Sequence, residues 1–295
     1  MKWLREFSTT SLPGVGWDGT SVTYQGTGLN LTSANPFTII PLEDGTLTIK
    51  GYAKGNIAEV NAAYSPTQLS FSYKGVGDTT WTSVSITVPS GGVGGGGGHQ
   101  PAISRYVTRT LSLTAGVPIQ LYSTTGFCIV KTTDTNLIGS ITTYYTGSIS
   151  TTCPAVIMGN LKSLVVGEDT SQTWSSNNNG LNSLFMDWKN LLDASLLIMP
   201  TETSKNYSSL FKGCSNLIQG PRLNLGRDYT NFFEGCTSLR YIEANFDSTT
   251  DYNLEDWLKG TENGQRTLYV PIDFDSEFDL HLPTTGWTVE EKNFS

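Results

Sequence analysis

Apolar and polar residues alternate through roughly the first half of the chain. Leu69, Phe71 and Tyr73 interleave with Ser70, Ser72 and Lys74, the period of two expected of a strand with one buried face. The same style predicts strands at 21–24, 37–40, 45–50, 69–73, 81–88, 110–121, 127–130 and 140–145, with 74–81 as a hairpin loop between two of them. Past residue 180 the period changes. Leu184-Phe185 returns as Leu210-Phe211 and again as Phe232-Phe233, each pair followed by Leu191, Leu217 or Leu239. A degenerate fourth copy runs from Tyr252 to Gly260.

A period in the low twenties carrying paired Leu/Phe, then Gly-Cys, then Leu is the mark of a leucine-rich solenoid, in which no copy buries its apolar side alone. The paired apolar residues one turn before the closing Leu predict a short helical turn facing the core. Leu184, Phe185, Leu191, Leu210, Phe211, Cys214, Leu217, Phe232, Phe233, Cys236 and Leu239 are the expected repeat core. Cys214 and Cys236 fall at a corner, where a small apolar thiol suits a ladder of equivalent residues about 4.8 Å apart. The first copy carries Trp188 at that corner and the last has Trp257 nearby, since terminal copies must meet other elements. The fold class expected is mainly β: an N-terminal β-sandwich region followed by a short C-terminal leucine-rich-repeat solenoid.

The chain divides accordingly. Residues 1–14 form an arm whose Trp3, Leu4 and Phe7 either anchor on a partner chain or close one end of the first β region. Residues 15–158 form the β-sandwich region, and 159–295 the repeat domain with a C-terminal cap, where Thr267–Pro271 reads as a last strand and Trp287 plugs the open end. The glycine run within 90–100 cannot hold a regular element. It is read as a long loop inside one β region, a linker between two small sandwiches being the alternative.

Composition narrows the function classes. Of 295 residues only 15% are charged, and a net charge of −8 comes with no basic cluster, which argues against nucleic-acid binding. No apolar run reaches the roughly 18 residues of a membrane span, and the first residues lack a signal-peptide core. The expectation is a chain made in a host cytoplasm that reaches the outside by lysis, or one whose signal has been removed. Cys128, Cys153, Cys214 and Cys236 share no C-x-x-C spacing, so no metal site or cofactor is expected, and free thiols are expected over a disulfide. His99 and His281 belong to no hydrolase or metalloprotease pattern. The acidic stretch 273–279 lacks the spacing of a calcium loop. The chain is read as non-enzymatic. Trp81, Tyr144 and Tyr145 are the aromatics in polar stretches that could stack on a sugar, each with half-burial at a strand edge as the plainer reading; the glycan-binding residues stay unassigned.

Phe211-Lys-Gly-Cys-Ser-Asn-Leu217 and Phe233-Glu-Gly-Cys-Thr-Ser-Leu239 resemble the leucine-rich repeat of the BspA-like surface proteins, and Thr267-Leu-Tyr-Val-Pro271 with Gly286-Trp-Thr-Val289 resembles that group's closing pattern. Leu42–Ile49, Phe71-Ser-Tyr73, Thr80-Trp-Thr82, Leu113-Thr-Ala-Gly116 and Gly159–Asp169 are similar to a β module that often precedes such repeats. That combination is similar to proteins of Bacteroidales bacteria and of their phages, including the crAss-like group. The resemblance departs from the family in the small number of repeats, the missing signal peptide and the glycine-rich insertion. It implies a structural and adhesive virion protein, a head fibre or capsid decoration, displaying the repeats for attachment to a host surface or glycan. It also implies virion partners, such as the major capsid protein or tail subunits, and a homotrimer. A bacterial cell-surface adhesin and a tail-associated receptor-binding protein are the alternatives.

Overall fold

The computed structural model describes residues 15–17, 22–24, 35–52, 68–75, 78–87, 106–123, 129–134, 141–174, 181–202, 207–224, 228–246, 252–272, 274, 280–283 and 285–294. The chain is mainly β, with several sheets, none closed, and one short helix among the described residues. Its strands are β1 (Val15–Trp17), β2 (Val22–Tyr24), β3 (Phe37–Pro41), β4 (Gly45–Tyr52), β5 (Gln68–Gly75), β6 (Thr82–Thr87), β7 (Tyr106–Leu113) and β8 (Ile119–Tyr122). They continue as β9 (Ile129–Asp134), β10 (Ile141–Thr146), β11 (Ser148–Thr151), β12 (Ala155–Asn160), β13 (Leu191–Ile198), β14 (Tyr241–Glu243), β15 (Arg266–Pro271) and β16 (Trp287–Lys292). The helix, α1, is Ser163–Val166.

Hairpin β5–β6 forms where the alternation predicts it, Ser72 meeting Ser83 across the pair. The stretch 110–121, which reads as one strand, is two. The chain turns at Ala115-Gly116, where Gly116 takes a positive φ of 69° and the Ala115 N–H is held by the Asp44 carboxylate at 2.8 Å. The turn sends β7 and β8 into different sheets, β11-β4-β7 and β13-β12-β3-β8-β5-β6. Both sheets feed one core: Leu47, Ile49, Leu111 and Ile149 from the first, Phe37, Ile39, Phe71, Leu121 and Ile157 from the second. Ser163 ties the second sheet together from α1. Its hydroxyl accepts from the Phe37 N–H at 2.8 Å and donates to the Leu121 carbonyl at 3.2 Å, both buried.

β12 is where the sheet changes sense. It runs antiparallel to β3 but parallel to β13. From β13 onward every pairing among the described residues is parallel: Asp193 bridges Gln219, Gln219 bridges Tyr241 in β14, and β14, β15 and β16 follow in register. Beside this strand column stands a second column made of turns. Ser183, Phe185 and Asp187 donate N–H bonds to the carbonyls of Ser208, Leu210 and Lys212 in the next copy. Ser209, Phe211 and Gly213 do the same to Thr230, Phe232 and Glu234, and Asn231, Phe233 and Gly235 to Glu255, Trp257 and Lys259.

These turns correct the expected helical segment. Only alternate N–H groups, such as those of Leu210, Lys212 and Cys214, bond backwards within their own copy, and they reach three residues back. An α-helix needs each N–H bonded four residues back, and half of them are committed to the neighbouring copy instead. The backbone reverses twice per copy through left-handed residues: Ser183 and Asp187, Ser209 and Gly213, Asn231 and Gly235, Asp256 and Gly260. Non-glycine residues are uncommon there, with Asn and Asp the best tolerated.

The same ladder corrects the reading of the fourth copy. Leu254 stands where Tyr229 does, Trp257 where Phe232 does, and Thr261 occupies the position of Cys236. Trp257 therefore belongs to the paired apolar site and not to the Cys corner. Tyr252, which heads that copy by its aromatic character, stacks on Phe246 at 4.4 Å instead.

Candidate recognition surface

The repeat core is aromatic from end to end. Phe37, Phe185, Phe211 and Phe233 form a ladder with ring centroids 5.4, 5.3 and 5.7 Å apart. Tyr207 stacks on Tyr229 at 5.9 Å beside it. All eleven repeat-core positions named from the sequence are buried. Cys214 and Cys236 donate their Sγ–H groups to the carbonyls of Phe185 and Phe211, one copy back, at 3.1 and 3.0 Å. Burial pushes both thiols well above the ordinary range, so neither forms the thiolate that reactivity requires. Cys153, Cys214 and Cys236 are free; Cys128 lies outside the described residues.

Both ends of the stack are covered. On the first copy, Trp188 takes the Cys position and its indole N–H donates to the Thr151 hydroxyl at 2.9 Å, while the Ile149 N–H donates to the Leu184 carbonyl. On the last copy, the Trp257 indole donates to the Leu280 carbonyl, and half-buried Trp287 donates to Thr261 Oγ1 at 3.0 Å. Trp287 thus lies against the final copy.

What faces outward is the parallel strand column. In β15, Arg266, Leu268 and Val270 are buried while Thr267, Tyr269 and Pro271 are half-exposed. Register places Tyr241 beside Thr267, Glu243 beside Tyr269, and Tyr269 beside Glu290. Glu243 sits at the centre. Its carboxylate takes the Arg222 guanidinium at 2.9 Å on one side and the Lys292 ammonium on the other. The Lys292 ammonium also lies 5.2 Å from the Tyr269 ring centre, and Arg222 lies 5.1 Å from the Phe294 ring. Burial pushes the Glu243 carboxyl upward, but hydrogen bonds from Lys292 and Arg222, with their charges, outweigh it and hold the group below its ordinary 4.5. A carboxyl held ionised in this way is a poor proton donor near neutral pH. The face offers half-exposed Tyr rings, hydroxyls and paired charges, a chemistry that meets a hydroxyl-rich ligand by ring contact and hydrogen bonds.

Because the folded value is depressed, the Glu243 cluster stabilises the fold above about pH 4.5 and loses that contribution as the pH falls through the folded value. Glu243→Gln is expected to cost about 1 kcal/mol at neutral pH, the cations being 40–44% exposed. The difference from the parent should shrink steadily as the pH is lowered below 4.5. Urea midpoints of both proteins over a falling pH series check this; a difference that does not change with pH would refute the ionic account.

The other residues singled out from the sequence lie elsewhere. Trp81 is half-buried, edge-on to Tyr122 at 4.6 Å with the Lys74 ammonium 4.5 Å over its ring, so it is a packed strand-edge residue and not an open platform. Tyr144 and Tyr145 are in β10, their side chains outside the described residues. Trp3, Leu4, Phe7, His99 and the glycine run also lie outside them, as does the acidic stretch apart from Phe274. His281 is exposed at a positive φ of 47°. Among the described residues no group of His, Cys, Asp and Glu could hold a metal ion, and no helix is long and apolar enough to cross a membrane. Sequence reading missed the outward strand face because its members are spread over four elements, and the alternation in Arg266–Pro271 was the one signal available. Compared with known proteins, the chain matches no family model, no curated protein and no solved structure.

Proposed function

We propose that the chain is a non-enzymatic structural and adhesive component of a phage particle, a head fibre or capsid decoration. In this reading a β-sandwich region at 15–158 carries a short leucine-rich solenoid at 159–295. The arm at 1–14, through Trp3, Leu4 and Phe7, binds other virion proteins such as the major capsid protein or tail subunits. The particle displays the chain as a trimer, and the solenoid meets a host-surface protein or glycan.

The observation that carries the reading is the stack itself. Successive copies are bonded in register, share an aromatic core with the preceding sheets and are covered at both ends. Such a body is built to project and present a surface, since each copy is held only through its neighbours. The buried thiols and the ion-paired Glu243 supply neither a nucleophile nor an acid. The BspA-like resemblance of the Gly-Cys corners supports the surface role, and the outward column of Tyr241 and Tyr269 supports attachment.

Immunogold labelling tests it, using antibody raised against residues 159–295 on purified phage particles and on uninfected host cells. Label on capsids is expected. Label on tails would shift the reading to a tail-associated receptor-binding protein, and label on bare cells to a bacterial surface adhesin.

A further inference from the structure

Two guanidinium groups meet at one rim of the stack with a single carboxylate charge, that of Glu262, acting beside them. Arg266 opens β15 and is 2% exposed. Its Nη1 donates to the carbonyls of Asn263 and Gly264, its Nη2 to the Thr237 carbonyl at 2.7 Å, and its Nε has no partner. Arg240, half-exposed just before β14, reaches the same place and, among the described residues, spends only Nη1, on the Gln265 carbonyl at 3.5 Å. Both Nη1 atoms lie within 3.4 Å of the point where a Cβ on Gly264 would stand. Gly264, at a φ of 100°, is what leaves them room.

Among the described residues neither guanidinium has an ion-pair partner. Glu262, whose charge acts on Arg266, accepts the Gly260 N–H at 2.9 Å on one carboxylate oxygen and makes no ion pair with either guanidinium. A buried cation held only by carbonyl dipoles is costly, and a second cation beside it adds repulsion. In a chain of net charge −8, with 26 acidic residues against 18 basic, a rim where two guanidiniums share one nearby carboxylate is out of keeping with the rest. Arg240 keeps Nε and Nη2 unengaged, the edge of the guanidinium fork that takes two oxygens of one oxyanion. Arg266 lies behind it and supplies field. Asn263, Gly264 and Gln265, which precede Arg266 in the chain, are exposed.

We propose that Arg240, backed by Arg266 across Gly264, forms a binding site for a compact oxyanion: a carboxylate, or a sulfate or phosphate group, of the kind acidic sugars carry. The site stands or falls independently of whether the chain belongs to a virion, because it is read on the isolated protein.

Titration calorimetry of the full chain with inorganic phosphate, sulfate and glucuronate, at fixed ionic strength, tests it. Saturable binding of at least one anion is expected, weakened at least about tenfold in Arg240→Gln. Arg240→Lys, which keeps the charge and loses the fork, should fall between the two. Binding of glucuronate alone would mark a sugar carboxylate as the ligand group, and binding of sulfate or phosphate an ester. Circular dichroism of the variants establishes that they fold. Absence of saturable heat with all three anions, or equal affinity in the parent and a folded Arg240→Gln, would overturn the site.

Discussion

Replacing Phe211 by alanine is expected to cost about 3–5 kcal/mol and to lower the denaturation midpoint of the whole chain, not of the repeats alone. The ring is fully buried, stacked on Phe233, tilted against Phe185 and met edge-on by Phe232 at 5.3 Å. Its removal opens a gap that three aromatic neighbours, themselves fixed by backbone ladders, cannot close. Phe185 stacks on Phe37 in β3, so the aromatic ladder crosses from the repeats into the large sheet. Urea unfolding of parent and variant, followed by tryptophan fluorescence and far-ultraviolet circular dichroism, checks both parts. Coincident transitions shifted together are expected. Two separated transitions, with strand signal surviving after the tryptophans are exposed, would refute a shared core.

The second large effect is expected at Gly159. This residue of β12 takes a φ of 81°, and a Cβ there would press into the Pro36 carbonyl oxygen and stand 3.0 Å from that of Asn35. Both obstacles are backbone of the chain entering β3, which a side-chain rotation cannot move. Gly159→Ala should therefore cost about 3 kcal/mol or more, conformational strain adding to overpacking. Gly116→Ala is the comparison. Its φ of 69° is similar, but nothing lies within 4 Å of the added carbon, so strain alone remains, about 1 kcal/mol. Thermal midpoints of the two variants decide the matter; equal losses would show that the β3–β12 contact is softer than its geometry implies.

These positions also mark how far the chain could be read from its letters. Phe211, Cys214, Leu217 and their counterparts were legible because spacing alone identifies residues that occupy one position in successive copies. The alternation at Leu69–Tyr73 gave a strand for the same local reason. The helical turn failed because its backbone bonds are not local: the Phe211 N–H goes to Phe232, in the next copy, and no pattern within Tyr207–Leu217 reports that. Thr261 was missed because it fills the Cys236 position with a different side chain, and its hydroxyl serves Trp287. The change of sense at β12 was hidden because a strand that is apolar on both faces reads alike whichever way its neighbours run. Arg240 and Arg266 are far apart in sequence and each looks like an ordinary strand-end residue; only the ladder brings them together.

The two columns of the stack carry a consequence for how such a protein changes over time. The special contacts, Trp188 with Thr151 at one end and Trp287 with Thr261 at the other, touch only the first and last copies. The copies headed by Tyr207 and Tyr229 offer identical donors and acceptors above and below. A duplicated copy inserted between Leu217 and Tyr229 would meet both neighbours on their own terms and disturb neither end. The length of the stack is then a genetically adjustable quantity, set by counting copies, while the contacts that close its two ends stay as they are.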